Sequence, residues 1–202
     1  MKSFMLAVAA ILCLFSCDPA PQNPLCELAP ASQEEYTFSK NRFDFYPKTL
    51  RAFNDFDAGV ACAQRQNKPI FLLFTGYGTR VHFFPDIALQ DPAILSYLYH
   101  DFIPIILYVD DRKKLPLAEQ EMVKTENGFR QFRNVGNKNA YLQERMFRMA
   151  SQPYLVLMTW QGEVLTKPLG YSPDISVYVN ALEVALDTFR KKQAFLKEVI
   201  IN

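Results

Sequence analysis

The hydrophobic pattern from about residue 50 onward alternates between helical and strand-like segments. Apolar positions with helical spacing over residues 56–67 follow the N-cap candidates Asn54 and Asp55. The continuous apolar run Pro69–Phe74 then predicts a buried central strand, and Phe102–Val109 predicts a second one. We expect Pro104 to be tolerated only near the start of its strand or at a bulge.

Further helices are predicted over residues 79–89, 91–99, 139–147 and 172–195. Thr79 and Ser172 are the N-cap candidates of the first and last of these, and Asp91-Pro92 starts the second. The apolar face of the last helix is predicted to comprise Val177, Ala181, Val184, Ala185 and Phe189.

Residues 110–136 are rich in charge, and a structureless loop of that length is uncommon, so we expect a helix near Leu117–Lys124. Tyr154–Thr159 predicts a strand, Gln161-Gly162 a hairpin turn, and residues 163–166 the returning strand. The order of elements predicts an α/β domain with a thioredoxin-like fold, in which helices flank a central mixed sheet.

The N-terminus has the pattern of an export signal. The apolar run Phe4–Phe15 is too short to span a bilayer and fits the core of a signal peptide. Leu14-Phe15-Ser16-Cys17 resembles a bacterial lipobox, which implies lipidation of Cys17; an ordinary cleaved signal is the alternative. We therefore predict a signal peptide over 1–16, a Pro-rich lipid-anchored tether over 17–48, and the folded domain over 49–202.

Composition and charge narrow the possible functions. The 202 residues carry 22 Lys and Arg against 21 Asp and Glu, which gives no electrostatic footprint for nucleic acid. The two histidines, His82 and His100, lack metal-ligand spacing, and Gly76 and Gly78 do not form a phosphate-binding glycine motif. We therefore predict neither a metal site nor a cofactor.

Several collinear segments resemble a known family. They are Asn67–Gly78, Leu107–Asp111, Val135–Lys138, Ser151–Tyr154 and Gly170-Tyr171. Together they resemble the C-terminal domain of bacterial DsbD-type thiol:disulfide interchange proteins and related lipoproteins. The resemblance implies a thioredoxin fold over about residues 50–190, with Pro153 as the cis-proline opposite the active-site helix.

The chain departs from this family at the redox motif. There, Gly-Tyr-Gly is followed by Cys-x-x-Cys, whereas here it is followed by Thr79-Arg80-Val81-His82. Disulfide exchange needs a thiolate and a second thiol to resolve the mixed disulfide, and neither Thr79 nor His82 can replace them. The prediction is a redox-inactive envelope module that binds an extended peptide or partner protein through Tyr77, Thr79, Arg80, His82, Gln152 and Pro153.

The remaining cysteines leave alternatives open. Cys62 is most simply a small buried apolar residue, while a Cys26–Cys62 disulfide is possible in an oxidising compartment. Residual thiol–disulfide activity through Cys62 or Cys26 is the enzymatic alternative, and a purely structural envelope component is a third. The sequence does not indicate the oligomeric state.

Overall fold

The structure is a computed structural model that describes residues 33–37, 49–77, 88–125 and 128–201. Its strands are β1 (Gln33–Thr37), β2 (Thr49–Phe53), β3 (Ile70–Thr75), β4 (Ile103–Tyr108), β5 (Met122–Thr125), β6 (Gly128–Gln131) and β7 (Tyr154–Met158). Its α-helices are α1 (Phe56–Gln66), α2 (Pro92–His100), α3 (Val135–Phe147) and α4 (Ile175–Ile201).

Five of the described strands form one sheet in the order β1-β2-β4-β3-β7. The middle strands β2, β4 and β3 run parallel, while β1 and β7 are antiparallel to their neighbours. Helices α1 and α3 pack on one face of the sheet, and α2 and α4 pack on the other. This arrangement confirms the predicted α/β class, a thioredoxin-like central mixed sheet flanked by helices.

The central strands form where the sequence is continuously apolar. All six residues of β3 are buried, as expected for a strand covered by helices on both faces. Pro104 is the second residue of β4. Strands β2 and β4 pair only at Phe53 and Ile105. The missing N–H of Pro104 therefore does not break a long row of hydrogen bonds between these two strands.

Local caps set the ends of the first two helices as predicted. Asp55 accepts a hydrogen bond from the Ala58 N–H at 2.9 Å and starts α1. Asn67 ends α1 in the left-handed conformation, with φ of 50°. Asp91 accepts from the Ala93 N–H at 3.0 Å and starts α2, with Pro92 at the first helical position.

The helix predicted near Leu117–Lys124 is wrong. A single 3₁₀ turn spans Leu117–Glu119, and the chain then forms the antiparallel hairpin of β5 and β6. Gly128 has a φ of 113°, a conformation that β-carbon-bearing residues rarely adopt, and it is the first residue of β6. The glycine therefore favours reversal of the chain over continuation of a helix.

The last helix starts and faces differently from the prediction. Asp174 accepts from the Ser176 N–H at 2.9 Å, and α4 begins at Ile175, so Ser172 is not its cap. The helix also continues past Phe195, to Ile201. Its buried face comprises Tyr178, Leu182, Ala185, Leu186 and Phe189, so Ala185 and Phe189 of the predicted face are confirmed, whereas Val177 and Val184 are exposed. Apolar spacing alone therefore placed the buried stripe only in part.

Three boundaries differ as well. Residues Gln33–Thr37 fall within the predicted segment 17–48, in a part whose sequence is compatible with a strand or a docking segment. They pair with β2 as an edge strand, so the sheet begins before residue 49. Helix α3 starts at Val135 because the Asn134 side chain accepts from the Asn137 N–H. The return after Gly162 pairs with β7 only through isolated bridges, such as Met158–Val164. Within the described chain, no helix is both long and apolar enough to cross a bilayer.

Candidate functional site

The sheet register brings together the end of β3 and the residues before β7. Phe74 pairs with Tyr154 in the antiparallel β3–β7 ladder. Because β3 and β7 run antiparallel, the residues that follow β3 and those that precede β7 lie at the same end of the sheet. The predicted site residues Tyr77, Gln152 and Pro153 therefore belong to segments at one end of the sheet.

Other predicted site residues lie outside the described residues. They are the lipidation residue Cys17, the disulfide candidate Cys26, and Thr79, Arg80 and His82 at the redox motif. Most of the predicted helix 79–89 also lies outside the described residues. Only its end is described, and it belongs to a 3₁₀ turn at Ala88–Gln90. The geometry given below is therefore that of two described segments, the one that ends at Tyr77 and the one that contains Gln152 and Pro153.

Tyr77 is held firmly although it is exposed. Its ring stacks on Tyr108 with centroids 4.0 Å apart and an interplanar angle of 10°. Its N–H donates to Asp110 Oδ1 at 2.9 Å. A β-carbon on the preceding Gly76 would lie 3.1 Å from that carboxylate, so a small residue suits this close approach. The loop after β3 thus presents an aromatic ring, 53% exposed, in a fixed position.

A buried amide network holds the loop before β7. The Gln152–Pro153 peptide bond is cis, the geometry that the family resemblance implies. Gln152 Nε2 donates to Gln143 Oε1 at 3.0 Å and to the Ala150 carbonyl at 2.9 Å. Gln143 is fully buried, and its own Nε2 donates to the Ser151 carbonyl at 2.8 Å. The loop is therefore fastened to α3 through side-chain amides.

The same helix also holds the end of β4. Asn139, one turn before Gln143 on α3, is 6% exposed and donates from Nδ2 to the Tyr108 carbonyl at 3.0 Å. Asn139 and Gln143 thus fasten both sides of the site to one helix. Sequence reasoning missed both residues. The available signal was two amides spaced i, i+4 on an amphipathic helix, which places them on one face.

A cavity of about 1010 Å³ opens beside Tyr77, between the start of α1, helix α3 and the segment 113–123. Its lining is aromatic and of mixed charge, with Tyr108 and Tyr141 alongside Asp55 and Lys138. Aromatic faces and alternating polar groups suit a peptide-like ligand better than a single ion. Tyr77 contributes to both this cavity and the predicted groove.

A buried tyrosine, Tyr154, lies at the candidate site. Burial raises the pKa of the Tyr154 phenol, directly after Pro153, which keeps it protonated at neutral pH. Among the residues that the structure describes, no group of three or more His, Cys, Asp or Glu side chains is placed to hold a metal ion.

Cys62 carries no thiol in this structure. Its side chain is fully buried against the sheet, in the cluster that includes Phe53 and Ile105, and its sulfur is disulfide-bonded. The interpretation of Cys62 as a buried residue is correct for its burial, but not for its bonding. Because it is the sole cysteine among the described residues, its partner lies outside them.

Comparison with known proteins shows similarity to solved structures. No protein-family model and no curated protein matches the chain. Among solved structures, the chain is similar to one titled "DsbH Oxidoreductase", with 20% sequence identity and a TM-score of 0.47. The match covers 66% of this chain and 82% of that one. The fold assignment here stands on the strand order and strand directions described above.

Proposed function

We propose that this chain is a lipid-anchored, thioredoxin-like protein of the bacterial envelope that binds an extended peptide segment of a partner protein and performs no dithiol exchange. One observation carries the proposal. The site retains firmly held walls at Tyr77 and Gln152-Pro153, while the sequence has Thr79 and His82 where a redox pair would stand.

The walls of the site favour peptide binding. The stacked ring of Tyr77 offers an apolar face at little entropic cost, because Tyr108 and Asp110 already fix its position. The cavity beside Tyr77 adds room for side chains of the bound segment. None of these interactions requires a cysteine.

The available cysteines argue against the enzymatic alternative. Disulfide exchange begins with attack by a thiolate, which needs an accessible sulfur and a lowered pKa. Cys62 is fully buried and already bonded, so it offers neither an exposed sulfur nor a thiolate. Cys26 precedes β1 in a Pro-rich segment. The sequence there does not predict the start of a helix, which is a position that lowers the pKa of a thiol.

The membrane anchor rests on the sequence. Cys17 ends the lipobox-like segment, and a multiply acylated cysteine anchors a protein stably because each buried CH₂ contributes about 0.8 kcal/mol. Loss of Lys2 with the signal leaves equal numbers of basic and acidic residues, so electrostatic attraction adds little to the anchor.

The test is capture of partners from envelope membranes with the full lipidated chain. We expect proteins retained by the wild type to be lost on Tyr77→Ala, on Arg80→Ala, or on Ala substitution of Phe83, the residue that follows His82 in the sequence. Phe195→Ala is the matched control, because Phe195 is an exposed aromatic residue, 65% accessible, near the far end of α4. Equal recovery with all four variants would overturn the groove, and loss with the control alone would place binding elsewhere.

A further inference from the structure

We propose that the disulfide partner of Cys62 is Cys26, and that this bond staples the segment preceding β1 to helix α1. The starting observation is that Cys62 is bonded, while every other cysteine of the chain precedes β1. The bond therefore joins the folded domain to the N-terminal segment, whichever of those cysteines supplies the second sulfur within the chain.

Processing of the N-terminus selects Cys26. Cys13 lies in the predicted signal peptide, and Cys17 is the predicted lipidation residue, whose sulfur then carries an acyl-bearing group. Cys26 is the cysteine that remains with a thiol available for pairing. This step rests on the proposed lipoprotein processing, and the experiment below separates the two claims.

The geometry lets Cys26 reach α1. Gln33 pairs with Phe53 at one end of β2, and α1 begins at Phe56, so Gln33 lies three residues of chain from the start of α1 through its strand partner. Cys62 lies six residues along the helix, roughly 9 Å from Phe56. The seven residue steps from Gln33 back to Cys26 span up to about 24 Å, which is ample.

Formation of the Cys26–Cys62 bond is an oxidation, and it requires an electron acceptor in the envelope. The two thiols of Cys26 and Cys62 lose two protons and two electrons as the sulfur–sulfur bond forms. A protein disulfide oxidant accepts both and is reduced to a dithiol. Once formed, the bond is shielded, because a thiolate must reach sulfur and the Cys62 side chain is fully buried.

The staple shortens the membrane tether. With Cys26 fixed to α1, eight residues (18–25) separate it from the lipidated Cys17, a span of about 27 Å when extended. Without it, the fifteen residues 18–32 precede β1 and span about 50 Å. The bond therefore holds the domain, and its proposed binding groove, close to the bilayer.

The test is disulfide mapping of the full chain purified from membranes, after free thiols are alkylated under denaturing conditions. Cleavage before aspartate separates the three relevant cysteines, because Asp18 lies between Cys17 and Cys26. We expect a reducible link between peptides 18–43 and 57–85, and an acyl mass on Cys17, the first residue of the processed chain.

Each outcome is decisive. A link from 57–85 to the Cys17 peptide, to a second copy of 57–85, or to neither would overturn the Cys26 assignment. If peptide 57–85 is linked to a second copy of itself or is not linked, an acylated Cys17 would leave the proposed anchor intact. An unmodified Cys17 together with a Cys26–Cys62 link would overturn the anchor alone.

Cys26→Ser removes the bond without altering the core. Closing a ring of 37 residues limits the unfolded chain, so we expect a fall in melting temperature on the order of 10 °C. Energy transfer from Trp160, the single tryptophan, to dansyl-labelled lipid in phosphatidylethanolamine–phosphatidylglycerol vesicles should also fall. Asn23→Ser is the matched control and should change neither. Unchanged melting and unchanged transfer in Cys26→Ser would contradict the staple.

Discussion

Gln143 and Gln152 form a side-chain amide pair, with Gln152 Nε2 donating to Gln143 Oε1 over 3.0 Å. Because Gln143 is fully buried and also donates to the Ser151 carbonyl, it fastens the loop before β7 to α3. Replacing it leaves polar groups of the loop without their protein partner, and such a loss costs about 1–3 kcal/mol. We therefore expect Gln143→Ala to lower the free energy of unfolding by that amount in urea denaturation.

The control for that change is Glu144→Ala. Glu144 is the next residue on the same helix, and its exposed side chain pairs with Arg130 at 3.4 Å. Exposed ion pairs contribute about 0–1 kcal/mol, so this variant should unfold at nearly the wild-type urea concentration. If both variants lost the same stability, the amide network would not be the cause.

Gly136→Ala should destabilise the protein through a main-chain clash. A β-carbon at Gly136 would lie 2.6 Å from the Asp111 nitrogen and 2.7 Å from the Val109 oxygen. Since main-chain atoms cannot rotate away as a side chain can, the start of α3 must shift. We expect a loss of about 1–3 kcal/mol in unfolding free energy, as for other overpacked sites.

Lys138→Ala provides the comparison for Gly136→Ala within the same helix. The Lys138 ammonium forms an exposed pair with Glu119 at 3.6 Å, so its removal should change stability by no more than about 1 kcal/mol. Wild-type stability in Gly136→Ala would show that α3 does not pack this closely on the turn after β4.

Tyr178 makes stability depend on alkaline pH. Burial raises the pKa of its phenol, whose hydroxyl donates to the Gly170 carbonyl at 3.0 Å. The folded chain therefore keeps this proton at a pH where the unfolded chain releases it. Its contribution to stability is complete below the unfolded value near pH 10, and is lost as the pH rises through the folded value.

Tyr178→Phe should flatten part of this dependence. Urea denaturation between pH 8 and pH 10.5 should show a shallower decline of unfolding free energy above pH 10 than in the wild type. Some decline should remain, because burial also raises the pKa values of Tyr99 and Tyr154. Parallel declines in the two proteins would mean that Tyr178 makes no contribution to this slope.

The sequence was sufficient where local signals agree. The apolar runs of β3 and β4 cannot be exposed to water, and Asp55 and Asp91 cap their helices within three residues of sequence, so all four elements were predictable. The antiparallel pairing of β3 with β7 puts the segment that ends in Tyr77 and the segment before β7 at the same end of the sheet.

The sequence was insufficient where long-range contacts decide. Residues 117–131 fit more than one local structure by sequence, and β5 and β6 pair as antiparallel strands where a helix was predicted. The amides of Asn139 and Gln143 acquire their roles only when α3 meets carbonyls that are distant or looped back in the chain. Likewise, the bonded state of Cys62 depends on a residue before β1, which no spacing in the sequence specifies.

The most direct test of the central claim, a thioredoxin-like scaffold without dithiol exchange, is a disulfide-reductase assay on two proteins. We expect the native protein to reduce insulin no faster than a buffer control containing dithiothreitol. The double variant Thr79→Cys with His82→Cys should gain turnover, because it restores the paired thiols on the same scaffold. Turnover by the native protein that disappears on Cys62→Ser or Cys26→Ser would contradict the account, and so would a double variant without activity whose thiols remain accessible.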